Sequence, residues 1–91
     1  MADNVFTKDP QDVLDYVLDW SDWLDTSETI STSTWTVPSG ITKDSDSKSS
    51  SETVIWLSGG TVYENYRLVN HIVTSLNREK DQTIIIYIVD K

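Results

Sequence analysis

The residues of this sequence that could do chemistry are few, and their spacing limits what they can do. Asp15, Asp19 and Asp22 recur every three or four positions in DYVLDWSDWLD. Paired carboxylates of this kind serve glycoside hydrolysis when a pocket keeps one of them protonated. A domain of 91 residues leaves little room for such a cleft. If the segment is a strand, Asp15 and Asp19 share one outward face, which reads as a solvated acidic surface or as a docking surface. His71 is the single histidine and there is no cysteine, so no metal set or acid–base pair stands at ligand spacing. Ser58-Gly59-Gly60 is not a nucleophile elbow, because Trp56 stands where that motif needs glycine. Nor is it a phosphate loop, which needs a longer glycine pattern and a lysine. Asp44-x-Asp46 starts like a calcium loop, but its sixth and twelfth positions are Ser49 and Ile55 rather than Gly and Glu. No catalytic, cofactor-binding or metal-ligating residue is therefore expected, and no cofactor. An enzyme is not the expectation.

The aromatics are the other candidates. Trp20, Trp23, Trp35 and Trp56 could form a platform for sugar or peptide. An all-β domain without disulfides needs their area for its core, since a large aromatic buries roughly 150–250 Å². Trp35 and Trp56 are accordingly expected to be structural, with Tyr66. Trp23 follows a presumed strand end and breaks its alternation, so it is the tryptophan expected to be exposed. An exposed tryptophan beside acids makes a good interface anchor. The candidate interface is therefore Trp23 with Asp15, Asp19 and Asp22.

The elements that must position these residues read as strands. From Thr53, Val54, Trp56 and Ser58 alternate with Thr53, Ile55 and Leu57; from Tyr66, Leu68, Asn70 and Ile72 alternate with Arg67, Val69, His71 and Val73. A period of two signals strand rather than helix. Gly59 and Gly60 supply the positive φ angles of a sharp corner between the two runs. Tyr66 just after that corner resembles the tyrosine corner of immunoglobulin-like sandwiches, whose ring packs inward while its hydroxyl bonds the backbone.

Two readings stand for Val13 to Trp20. As a helix, Asp9 is the N-cap, Pro10 the first helical residue, and Val13, Val17, Trp20 and Leu24 the apolar stripe. As a strand, Leu14, Tyr16, Leu18 and Trp20 face one way. The strand is expected, because every later element reads as β, with a short turn or one helical turn at Ser21 to Leu24. Val5 to Lys8 reads as an edge strand, residues 1–10 forming an N-terminal arm or edge. Thr29 to Val37 reads as a strand with Ile30, Thr32, Thr34 and Thr36 on one face. Pro38-Ser39-Gly40 is a turn, and Ile41 opens a short strand fading into a mobile polar loop at 43–52. Leu76 to Asp81 reads as a charged hairpin loop, and Gln82 to Val89 as the last strand. Ile84, Ile85 and Ile86 make that strand apolar on both faces, so its outer side is covered or docks on a neighbour. The sum is one domain over 1–91: an all-β, immunoglobulin-like β-sandwich of about seven antiparallel strands.

The chain carries a net charge of −8. Asp3, Asp9, Asp12, Asp15, Asp19, Asp22, Asp25 and Glu28 crowd the first thirty residues against Lys8 alone. Such a field repels phosphate backbones, so nucleic acid is not an expected partner; a basic protein surface is. No apolar run approaches a membrane span and no secretory signal opens the chain. A soluble protein made in the cytoplasm, with no membrane partner, is expected.

The order of motifs adds a resemblance. Asp19-Trp20 with Trp23-Leu24, then Trp35-Thr36-Val37-Pro38, then Trp56-Leu57-Ser58-Gly59-Gly60 resemble the fiber–tail adaptor proteins of tailed bacteriophages, small virion proteins with an immunoglobulin-like fold. The likeness spans about Asp9 to Val89. It departs at the last hairpin, where such proteins would carry a glycine and this chain has Asn77-Arg78-Glu79-Lys80. The resemblance implies a structural protein of the virion tail or neck, made in the bacterial host. It implies docking on other tail, portal-proximal and fiber components in multiple symmetric copies, as a homo-oligomeric ring for example. The alternative is a carbohydrate-binding or adhesive module working through exposed tryptophan.

Overall fold

Seven strands and no helix make up residues 4–90, which are the residues the computed structural model describes. They are β1 (Asn4–Lys8), β2 (Leu14–Asp19), β3 (Ile30–Thr36), β4 (Ile41–Lys48), β5 (Glu52–Gly59), β6 (Asn65–Thr74) and β7 (Glu79–Ile88). They form a four-stranded sheet of order β1-β7-β6-β3 and a three-stranded sheet of order β2-β5-β4. The first three residues of the expected N-terminal arm lie outside the described residues.

The alternation is what closes the two sheets on each other. In β2, Tyr16 and Leu18 point inward with Trp20 just beyond, while Val13 and Val17 stay 57% and 43% exposed. A helix burying Val13 and Val17 is thereby ruled out for this segment. Ile55 and Leu57 of β5 meet Tyr66, Leu68 and Ile72 of β6 and Ile84, Ile86 and Ile88 of β7 in one core. Each such side chain contributes roughly 1.5–3 kcal/mol on full burial. At the centre the two sheets also share a polar contact. Thr53 Oγ1 donates to Asn70 Oδ1 at 2.6 Å, and the fully buried Trp20 indole N–H reaches both, at 3.2 and 3.3 Å. Asn70 Nδ2 donates to Ser33 Oγ and to the Thr34 carbonyl, so the amide is satisfied at both ends.

Four expectations need correction. The strands are not all antiparallel: β1 pairs parallel to β7. A buried lysine ends it, Lys8 Nζ donating to the carbonyls of Asp9 at 2.8 Å and Gly59 at 2.7 Å, which ties the strand end to the other sheet. The polar stretch placed in a mobile loop is instead strand β4 as far as Lys48. Its side chains bury little, but its backbone groups are paired with β5, and pairing rather than side-chain burial makes the strand. Its hairpin turns at Ser49, whose N–H donates to the Glu52 carbonyl. In β3 a bulge between Ile30 and Thr32 switches the alternation, so Ile30 and Trp35 are both buried. The last hairpin is shorter than expected, since β7 starts at Glu79. Asn77 takes the left-handed conformation (φ 63°) that a glycine would otherwise supply. In β7, Ile84 and Ile86 are buried and Ile85 sits half-buried on the outer face, between Val5 and Arg67, so the strand is apolar on both faces.

Candidate docking surface

β2 and β4 flank β5, and their registers fix which side chains share the outer face of the three-stranded sheet. Asp15, Trp56 and Ser45 lie in one row across it. Val17, Val54 and Ser47 lie in the next, and Asp19 pairs with Glu52 in the third. Inward-facing Tyr16, Leu18, Ile55 and Leu57 are buried, so the period of two leaves their neighbours outside. A bulge between Lys43 and Ser45 turns Asp44 to the same outer side, where its carboxylate accepts from Ser58 Oγ at 3.1 Å. Lys43 alternates to the opposite side and pairs there with Asp46 at 3.1 Å.

The face therefore has an apolar centre and an acidic rim. Trp56 is 41% exposed at that centre, with Val17 beside it. Asp15, Asp19, Asp44 and Glu52 surround them. The Ser21 backbone N–H, 2.9 Å from Asp19 Oδ1, holds that carboxyl below the usual carboxylate range and so keeps it charged.

The expected interface residues do not all meet here. Asp15 and Asp19 share the face, and Asp22 is exposed on the turn that follows β2. Trp23 is not the exposed anchor: it is half-buried, edge-on to Trp20 at 5.8 Å, with the Arg78 guanidinium 4.2 Å from its ring centroid. The turn carrying it is tight, Trp23 and Leu24 both donating backbone N–H groups to the Trp20 carbonyl. Trp56, expected in the core, is the tryptophan that the structure exposes. The signal was in β5 itself. Trp56 alternates with Ile55 and Leu57, and a strand with those two inside must turn Trp56 out.

Other titratable groups are committed to holding the fold. Glu28 is buried, accepts from Arg78 Nε at 2.9 Å and from Thr74 Oγ1 at 2.5 Å, and is also bonded by Arg78 Nη2. The Arg78 hydrogen bonds hold its carboxyl down at about 2, against the pull of burial. His71 lies between two carboxylates on the outer face of the four-stranded sheet, Asp81 at 2.6 Å and Glu79 at 2.9 Å. Those bonds, Asp81 first, raise its pKa. At the diglycine corner Gly59 and Gly60 have φ of 79° and 101°. The buried Tyr66 hydroxyl there accepts the Thr61 backbone N–H at 3.0 Å.

Residues 8–87 match the family described as podophage GP4 fiber-tail adaptor protein gp77. No curated protein matches the chain.

Proposed function

The chain belongs to the podophage GP4 fiber-tail adaptor family, and from that premise we propose that it is a virion component that links the tail or neck to fibers by passive docking. One observation carries this reading. The core closes fully between the sheets, and the described residues enclose no cavity or cleft. The broad surfaces left for function are the outer faces and edges of two sheets. Such surfaces suit contact with other proteins better than turnover of a substrate, which calls for a concave site. We read the role of this chain as the structural one of its family. Docking in several symmetric copies would let weak contacts add through effective concentration. The carbohydrate-binding alternative calls for an exposed tryptophan; Trp23 is packed under Arg78 and Trp56 is the open one, and the family match favours the adaptor reading.

The test is copy counting by mass spectrometry or cryo-EM on purified phage particles. A fixed number of copies per tail is the expected result. A chain absent from particles that are otherwise complete ends the adaptor reading.

A further inference from the structure

We infer that the outer face of the β2-β5-β4 sheet is the docking surface, and that its partner is a different protein presenting a basic rim around a recess for the Trp56 indole. This rests on the adaptor reading. Three observations converge on it. Trp56 and Val17 are large apolar side chains left 41% and 43% exposed side by side on one face, with Val54 between β2 and β4 in the adjoining row. Sheet faces with such a centre are uncommon on a surface that meets only water. Tryptophan is also the residue type that most often anchors an interface.

The rim sets the sign of the partner. Asp15, Asp19, Asp44 and Glu52 ring the apolar centre, and no lysine or arginine shares the face in the strand registers. Complementary charge would speed encounter and align the register, while an acidic or phosphate-bearing partner would be repelled. The indole ring adds a second reason for a basic partner, since an arginine or lysine stacks favourably on it.

A second copy of this chain does not fit. A two-fold contact through this face would set the same four carboxylates against themselves. A contact with another face needs a basic patch, and the chain has only seven Lys and Arg. Lys8 is buried, Arg78 is bound to Glu28 and Lys43 to Asp46. Lys48, Arg67 and Lys80 stand on three different strands, and Lys91, the seventh, lies outside the described residues.

The test uses assembled phage particles and three forms of the full chain. Trp56→Ala removes the anchor, and Asp15→Lys with Asp19→Lys and Glu52→Lys reverses the rim. The third form carries a photo-crosslinking benzoylphenylalanine at Val17, with Thr34 on the opposite sheet as the control site. Thermal melts of the purified variants check that each folds. The expected result is a loss of at least about tenfold in affinity for the particle for each of the first two forms, read from copies per particle at limiting concentrations of the chain; tenfold corresponds to about 1.4 kcal/mol of binding. The Val17 crosslink is expected on a Lys/Arg-bearing peptide of another virion protein, and the Thr34 crosslink not on that peptide. Wild-type copy numbers for folded Trp56→Ala and the reversed rim would overturn the inference and leave the adaptor reading standing. So would a Val17 crosslink confined to copies of this chain. Binding of the purified chain to a glycan array, lost on Trp56→Ala, would overturn it in favour of a sugar. Wild-type chain missing from particles would remove the adaptor reading, and this inference with it.

Discussion

The Arg78 guanidinium covers the Trp23 ring at 4.2 Å while its nitrogens bond the buried Glu28 carboxylate. One side chain in the β6–β7 hairpin thus fastens the turn after β2 and the start of β3 to the last hairpin. Arg78 Nη2 also donates to the Trp23 carbonyl at 3.3 Å. Arg78→Ala is expected to lower the melting temperature more than Glu28→Gln does, because it leaves a carboxylate buried without its partner. Combining Arg78→Met with Glu28→Gln should recover part of the loss. A melt showing Arg78→Ala unchanged would remove this clasp from the account of stability.

The same clasp sets the acid limb of stability. The Glu28 carboxyl is held at about 2 against an ordinary 4.5. A depressed carboxyl contributes stability above its unfolded value and loses it as pH falls through the folded one. Urea midpoints should therefore drop between about pH 4.5 and pH 2, and Glu28→Gln should flatten that slope.

His71 acts with the opposite sign. Asp81 and Glu79 raise its pKa above the ordinary 6.5. Its contribution is complete below 6.5 and disappears as pH rises through the raised folded value. Being exposed, the group should have a small effect. His71→Ala should erase the dependence of the urea midpoint on pH above 6.5 while leaving the acid limb intact.

The shared polar contact at the centre of the sandwich should be costly to open. Asn70→Ala strips Thr53, Ser33 and the Trp20 indole of a buried partner. A loss of about 2 kcal/mol or more is expected, since each unsatisfied buried group costs ~1–3 kcal/mol. Chemical denaturation with an unchanged slope and a lowered midpoint is the readout.

The two glycines of the corner should differ. A Cβ on Gly59 meets nothing within 4 Å, so Gly59→Ala carries only the left-handed backbone penalty of about 1–2 kcal/mol. A Cβ on Gly60 would lie 2.6 Å from Ile88 Cδ1 and 2.8 Å from Cγ1, inside the core. Gly60→Ala should be the more damaging of the two in a thermal melt. Equal effects would mean that Ile88 moves aside freely.

Trp20 and Trp56 provide the matching contrast among the aromatics. Trp20 is fully buried and Trp56 is 41% exposed. Trp20→Ala is expected to cost about 3–5 kcal/mol, as large-to-small core substitutions of tryptophan do, and Trp56→Ala under about 1 kcal/mol, as surface changes usually do. Equilibrium unfolding of both variants checks this.

Much of the fold is legible in the residues themselves. The alternations in β2, β5 and β6 assign both the strands and their inner faces, because a two-residue period admits one buried side. Gly59, Gly60 and Tyr66 mark the corner, since positive φ and a buried hydroxyl each require particular residue types. The acidic outer face of β2 follows from Asp15 and Asp19 once the strand is accepted. What local sequence could not decide were contacts between distant segments. β4 has almost no apolar side chains and is a strand because β5 offers its backbone partners. β1 runs parallel to β7, a pairing without any local signature. Arg78 and Glu28 lie fifty residues apart, and only their meeting covers Trp23. Local periodicity is set by backbone geometry within a segment. Which outward face stays bare depends on what the rest of the chain brings against it.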